Sequence, residues 1–570
     1  MKKISIFLFL FVSTLANAQS FTVKGTVYDE NENPLEGASV SIIDSKIGSI
    51  TNSKGQYELK LSIGEYYIEA KYLGYESKMQ GIAITEKITE TDFYLYPKST
   101  VLDEVLVAAV RANTAIPVTF SNLSKKEIAK RNLGQDIPIL LNYLPSVVSS
   151  TDGGAGIGYT YMSVRGSNSE RINVTVNGIP YNDAESHGSF WVNLGDFASS
   201  TENLQLQRGV GTSTNGSGAF GASLNILTDA ISDEAYGEIS NSFGSFNTRK
   251  HTVKFSTGKL NNNIEIAGRL SNISTDGYVD RASADLKSYF LQGSYSDENT
   301  LIKAITFGGK ELTYQAWEGL TAAQLKEDRR QNPYTYDNEV DDYNQNHYQL
   351  HWNEKINNNW STTLGLNYTK GSGFFEQFKE ETQVQSDLDG DGILDVDNYN
   401  GILVGTDTET QFNDDGSTTI IPITNAIVRR WLDNDFYVFN FNTNYKTDKI
   451  NFITGVSYSH YTGDHFGEVI WGKEFSDNAN IRDRYYFSDA KKTDFSMFAK
   501  ATFSINEKLS AYADLQGRFV GYQTKGITND IVPIDVDANF NFFNPKFGFT
   551  YNINQNNNLY TSFAVANREP

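Results

Sequence analysis

Carboxylates at alternate positions mark one short stretch of this chain, Asp387-Leu388-Asp389-Gly390-Asp391-Gly392-Ile393-Leu394-Asp395. In a D-x-D-x-D-G-x-x-D spacing the side chains of Asp387, Asp389, Asp391 and Asp395 can converge on one hard cation, with Gly392 letting the chain turn beneath it. The expected group is a structural Ca2+ ion. Asn398 stands where an EF-hand carries its final bidentate acid, so the stretch is closer to the shorter loops of extracellular modules. The alternative reading is a solvated acidic loop tip.

The six histidines offer no catalytic arrangement: none falls in an HExxH motif or a nucleophile elbow, and no enzyme activity is expected. His347 and His351 have the spacing of a helical metal pair. Tyr348, Leu350 and Trp352 alternate with them, however, which makes the segment a strand. Four residues along a strand span ~13 Å, too far for one ion, so both histidines are read as polar residues facing inward.

Composition narrows the function classes. A formal net charge of -21 repels phosphate backbones, so no nucleic-acid partner is expected. With no cysteine there is no disulfide framework and no thiolate metal site. Met1-Lys2-Lys3, an apolar run from Ile4 to Leu15 and Ala16-Asn17-Ala18 form a basic start, a short apolar core and a small-x-small cleavage site, which predicts a signal peptide over residues 1–18. No later stretch approaches the ~20 apolar residues of a membrane helix. A membrane barrel stays open, because its strands alternate lipid-facing and lumen-facing residues, and an aromatic content of 13% suits one.

A chain of 570 residues exceeds a single core, which stops growing near ~250–300 residues, so several domains are expected. From Phe21 to Pro97 short alternating strands predict a small β-sandwich over residues 19–97, with Ala38, Val40 and Ile42 on one face and glycines in the turns. Val23-Lys24-Gly25-Thr26-Val27, Pro34-Leu35-Glu36-Gly37-Ala38-Ser39-Val40 and Thr51-Asn52-Ser53-Lys54-Gly55-Gln56-Tyr57 resemble a carboxypeptidase regulatory-like domain. A linker over residues 98–113 contains Asp103-Glu104-Val105-Leu106-Val107, either an ordinary first strand or, by its place, a segment that resembles the energy-coupling box of TonB-dependent receptors. Such a box adds as a strand to its partner's sheet edge, and backbone hydrogen bonds carry the binding.

Residues 114–229 have the order of that family's plug. Ser124-Lys125-Lys126-Glu127 predicts a capped helix start, and Asp136 opens a second helix that ends before Pro145. Val164-Arg165-Gly166, Arg171-Ile172-Asn173-Val174-Thr175-Val176-Asn177-Gly178-Ile179-Pro180, Leu206-Gln207-Arg208-Gly209 and Gly218-Ala219-Phe220-Gly221-Ala222-Ser223-Leu224-Asn225 then follow, and all resemble the plug. Asn177-Gly178 predicts a tight turn, since both residues tolerate positive φ. Arg165, Arg171 and Arg208 are read either as facing acids of a barrel wall or as solvated. In the family, loops at the place of Tyr181 to Trp191 meet ligand, which makes Asp183, Glu185, His187 and Trp191 candidate contacts; packing against the wall is the alternative.

Over residues 230–570 long alternating strands predict a partial transmembrane antiparallel barrel of about thirteen strands, so the fold class is mainly β. Trp360, Thr362, Leu364, Leu366 and Tyr368 oppose Ser361, Thr363, Gly365, Asn367 and Thr369, and Leu509 to Phe519 repeats the pattern. Short polar turns near residues 259–263, 296–300, 353–359, 446–449, 505–508 and 552–558 are expected to be periplasmic. Long connections near 313–344, 372–433 and 464–489 are expected outside. The resemblance implies a twenty-two-stranded barrel, of which this chain would be a truncated piece.

The function so implied is TonB-dependent import of a scarce ligand across the outer membrane, with TonB, outer-membrane lipid and a small chelate or glycan as partners. Val105-Leu106-Val107 is not followed by the Thr-Gly-Tyr-Gly run of glycan importers, which leans toward a ferric siderophore or other metal chelate. A glycan importer and a surface adhesin or signal receptor on the same barrel are the alternatives.

Overall fold

In the computed structural model the described residues are 21–570 apart from 30–31, 44, 46, 73–74, 76, 86–87, 96–110, 216–219, 384–406, 413–417, 474–479, 531 and 555–556. The signal peptide, the box at Asp103 to Val107 and the acidic stretch from Asp387 to Asp395 lie outside the described residues. The chain forms two compact units, Met1–Thr100 and Val101–Pro570.

The first unit is the expected sandwich. One sheet orders Gln56–Leu61, Phe21–Tyr28 and Ile88–Glu90, with Phe93–Tyr94 also on Phe21–Tyr28; the other orders Gly48–Ile50, Ser39–Ile42, Gly64–Lys71 and Lys78–Ile84. Ala38, Val40 and Ile42 are buried in the core between them, with Val23, Val27, Tyr57, Leu59 and Ile68. Gly55 has a left-handed φ of 71° and makes a turn. Gly25 differs from the expectation of a turn glycine: it lies within a strand, where a Cβ would stand 1.7 Å from the Thr91 carbonyl oxygen. A side chain there is excluded by close backbone approach rather than by φ.

In the second unit, residues 111–229 form a mixed five-stranded sheet. Its order is Ile179–Pro180, Ile172–Val176, Ala222–Thr228, Thr201–Arg208 and Thr119–Ser124. All five residues of Ile172–Val176 and all seven of Ala222–Thr228 are buried, as strands covered on both faces must be. The helix Lys125–Ala129 starts with the predicted capping box between Ser124 and Glu127. The helix Ile137–Leu141 has Asp136 at its N-cap without a side-chain cap bond. That carboxylate instead accepts from Thr160 Oγ1 at 3.1 Å.

The rest of the unit is a fourteen-stranded antiparallel sheet. Thirteen strands run as one path from Ala235–Phe243 to Asn557–Ala564, and Asp407–Phe412 pairs off it with Thr418–Lys446. The alternation read from sequence holds: Thr363 and Asn367 are buried against the interior, while Tyr437, Phe439 and Phe441 stand exposed on the outer face. The short turns are built by one repeated device. Asp297 accepts from the N–H groups of Asn299 and Thr300 at 2.9 and 2.8 Å, Asn357 does so for Asn359 and Trp360, and Asn506 for Lys508 and Leu509. Polar Asn and Asp therefore reverse the chain locally there.

The long connections are shorter than the sequence suggested. Trp360–Gln383 has 24 residues and pairs with Thr418–Lys446 as far out as Gln383 with Ile423. Ile450–Gly472 likewise pairs with Arg484–Ser504. Much of 372–433 and 464–489 is therefore strand. A 24-residue strand spans roughly 80 Å at ~3.3 Å per residue, so these hairpins outreach any ~30 Å hydrocarbon layer.

Candidate functional site

The segment 181–191 is positioned by the turn before it. Asn177 and Gly178 have φ of 53° and 80°, and the turn closes the pair Val176 with Ile179. Asn177 Nδ2 donates to Thr228 Oγ1 at 3.1 Å and to Gln349 Oε1 of the barrel wall at 3.2 Å; Asn440 Nδ2 donates to the Gly178 carbonyl at 3.0 Å. Asn225 Oδ1 accepts from Thr175 Oγ1 at 2.8 Å and ties the neighbouring strands together. Asn182 then folds the loop on itself, accepting from Val174 N at 2.7 Å and donating to the carbonyls of Ile172 and His187. Asp183 accepts from the N–H groups of Glu185 and Ser186 at 3.1 and 2.7 Å. His187, with a left-handed φ of 60°, completes the reversal.

A cavity of about 110 Å³ opens between this loop and the wall, toward the long-connection end of the barrel. Tyr159, Tyr181, Asp183, Phe190 and Asn193 of the interior domain line one side. Glu311, Asp341, Tyr343, Phe375, Arg430 and Asn434 from three neighbouring hairpins line the other. Tyr159 Oη donates to Asp341. Glu311 is 3% exposed, and its Oε2 has no hydrogen-bond partner. Of the four residues proposed from sequence to contact ligand, only Asp183 lines this cavity.

The others are placed elsewhere. Glu185 is a tether to the wall, accepting from Tyr461 Oη and Tyr522 Oη at 2.7 Å each and pairing with His465 Nε2 at 3.0 Å. Burial opposes its charge, but His465 and the two phenols hold its carboxyl below the usual range. His187 lies beside a separate small cavity with Lys492, Asp494 and Arg518. Trp191 is 3% exposed and packs in the core with Leu194, Phe197 and Phe307.

Among the described residues Arg165, Arg171 and Arg208 form no ion pair with an acid of the wall. Arg208 Nε donates to the Pro145 carbonyl and Nη1 to Ser121 Oγ, both within the interior domain; Arg171 donates to Asn168 Oδ1; Arg165 is exposed, with φ 52°, beside Gly166 at φ 79°. Gly209 has φ 88° and leads the chain out of its strand. The charges at the contact are reversed, with the acids on the interior domain and the cations on the wall. Asp196 pairs with Lys250 at 2.7 Å and Arg269 at 3.5 Å, all three side chains 2% exposed or less, and accepts from Thr252 and Ser271 hydroxyls. Asp229 pairs with Lys254 at 2.6 Å and Lys125 at 2.7 Å. Burial raises the Asp196 carboxyl, but Arg269 and Lys250 outweigh it and hold it at about 2.

His347 and His351 face inward from Val340–Lys355, as read from sequence. The His347 ring stacks on Phe307 with centroids 4.5 Å apart, and its Nδ1 meets Thr369 Oγ1 at 2.9 Å. Among the described residues no group of three or more His, Cys, Asp or Glu side chains could hold a metal ion. Glu311, Asp341, Tyr343 and Arg430 were not singled out from sequence. Strand alternation puts Glu311, Asp341 and Tyr343 on the inner face, but only the cavity distinguishes them from other inward polar residues.

A folded domain of this topology seated inside a long-stranded antiparallel sheet defines a plug-and-barrel fold. Residues 112–223 match the TonB-dependent Receptor Plug Domain, and residues 23–107 match the CarboxypepD_reg-like domain. Over 98 residues the chain is 31% identical to the TonB-dependent receptor SusC of Bacteroides thetaiotaomicron, a stretch that is 17% of this chain and 9% of that relative. The fold matches the ferric-catecholate import receptor Fiu from E. coli K12 with a TM-score of 0.58 at 15% identity, covering 81% of this chain and 71% of that one. It matches the copper transporter OprC with a TM-score of 0.59 at 12% identity, covering 80% and 66%. The chain therefore carries a TonB-dependent receptor plug domain and shares the fold of these solved proteins.

Proposed function

We propose that this protein imports a small, scarce ligand across the outer membrane, with energy delivered by TonB to the box at Asp103, Glu104, Val105, Leu106 and Val107. The observation that carries the reading is the divided cavity: one side belongs to the plug and the other to the barrel. Displacing the plug therefore takes the binding site apart, which couples a pull to ligand release. The pull would enter at residues 111–112 and reach the edge strand Thr119–Ser124, which pairs with Thr201–Arg208 through six residues.

The first reading of the ligand is a ferric siderophore or other metal chelate. It is supported by the chemistry named for solved receptors of the same fold and by the residues that follow the box. An oligosaccharide is the second reading. It is supported by a lining in which the rings of Tyr181, Tyr343 and Phe375 stand among the amides of Asn193, Gln345 and Asn434.

The test is growth of the source bacterium under iron limitation on single chelates, with the wild-type gene or Val105→Pro. Proline removes a pairing N–H from the box and leaves the barrel untouched. Loss of growth on one chelate, with normal insertion of the variant, is the expected result. Unchanged growth on every iron source would remove the chelate reading and favour glycan uptake or adhesion.

A further inference from the structure

The divided cavity carries an imbalance of charge. Asp183, Glu311 and Asp341 line it, against the single guanidinium of Arg430. In Thr300–Tyr314 and Val340–Lys355, Glu311 is opposite Tyr343 and Thr313 is opposite Asp341, so the two acids are diagonal neighbours on one inner face. Diagonal pairs stand ~7–8 Å apart. Among the described residues neither acid has an ion-pair partner, and neither does Asp183. Asp196, Asp229, Glu376 and Asp514, also buried, each have a cation within 4 Å.

Glu311 makes the imbalance specific. The residue lines the cavity, and its Oε2 is buried without a hydrogen-bond partner. Arg430 Nε is likewise without a partner, and the guanidinium stands 5.7 Å over the Phe375 ring rather than against a carboxylate. A buried carboxylate left without a cation is costly to ionise. An anion entering the cavity would oppose ionisation of these carboxyls still further, whereas a cation would stabilise their charged forms and supply the missing countercharge. The rings of Tyr159, Tyr181, Tyr343, Phe374 and Phe375 offer faces that also favour a cation.

We infer that the cavity selects a ligand carrying a positively charged amine or guanidine, seated between Glu311, Asp341 and Asp183, and rejects net-anionic ligands. The inference deepens the import reading and rests on its placement of the ligand in the divided cavity.

The test is isothermal titration of the full-length receptor in detergent with three probes. These are spermidine, a linear trihydroxamate–Fe(III) chelate with a free terminal amine, and the same chelate with that amine acetylated. The two chelates differ in charge and hardly in shape. The expected result is that spermidine and the amine-bearing chelate bind, the latter at least about tenfold tighter than its acetylated form. In Glu311→Gln that ratio falls toward one. Equal or tighter binding of the acetylated chelate, no binding of either amine probe, or a ratio unchanged in Glu311→Gln would overturn the inference. Because the first comparison is made on wild-type protein, it does not depend on the variant folding. If the amine-bearing chelate binds as expected but its iron accumulates equally in wild-type and Val105→Pro cells, charge selection stands and the import reading fails. Energised uptake without charge discrimination leaves import standing and overturns charge selection.

Discussion

The side-chain amide of Gln205 holds Ala112 by both of its backbone groups: Nε2 donates to the Ala112 carbonyl at 2.9 Å, and Oε1 accepts the Ala112 N–H at 2.8 Å. The same amide donates to Asn122 Oδ1 at 2.8 Å and accepts from Gln207 Nε2 at 2.9 Å. Gln205 is 1% exposed, so these bonds have no water to replace them. Ala112 lies five residues after Val107, where a pull on the box would enter the plug.

Gln205→Leu keeps the volume and leaves two buried backbone groups of Ala112 without partners. Each such group costs ~1–3 kcal/mol. Amide hydrogen exchange at Ala112 and along Thr119–Ser124 should therefore quicken by about tenfold or more. Unchanged protection would mean that the clamp does not hold the entry segment.

The tethers at Glu185 and at Asp196 should respond differently to acid. Glu185 and Asp196 both have lowered carboxyls, so each stabilises the fold above the ordinary carboxylate range of ~4 and loses its contribution as pH falls through its own folded value. For Asp196 that value is about 2, and the contribution at neutral pH is on the order of 2 kcal/mol. Asp196 also makes its pairs among fully buried groups, whereas Glu185 is partly accessible. Cleavage in the loop 181–191 by an acid-active protease should increase on acidification from about pH 5 to about pH 3, and Glu185→Gln should flatten that rise. A loop equally protected at both ends of that range would argue against the tether.

Removing the Asp196 anchor should be more severe. Asp196→Ala leaves Lys250 and Arg269 buried without their counter-ion, a change of ~3–5 kcal/mol. Thermal unfolding of the plug, followed by a fluorophore inside it, should shift down while the barrel transition remains. Asp196→Asn, which keeps hydrogen bonds to Thr252 and Ser271, should be milder. Equal effects of the two variants would show that shape rather than charge holds this contact.

Calcium is proposed for the stretch from Asp387 to Asp395. Titration with Ca2+ should show one site in the wild-type protein and none in an Asp389→Asn, Asp391→Asn double variant, since neutral amides remove the charge that attracts the ion. Absence of a calcium-dependent signal in wild type would assign the stretch to a solvated loop tip.

What the sequence determined by itself is what depends on near neighbours. The alternation of Trp360 to Thr369 sets which residues face the interior, because a strand turns each successive side chain to the opposite face. The turn at Asn177 and Gly178, the box of Ser124 with Glu127 and the reversals at Asn357 and Asn506 are bonds across two to four residues. Length and charge spacing along the chain do not say which side chains meet across it. Arg208 looked suited to the wall and instead bonds Pro145 and Ser121, while Asp196 reaches Lys250 and Arg269 from 54 and 73 residues away. Trp191, apt for a ligand, is buried because the helix turn Trp191–Leu194 packs against Thr300–Tyr314. Strand periodicity alone turns Glu311 and Asp341 inward; that both are left without a cation, in a cavity with Asp183 of the plug, was decided only when the two domains came together.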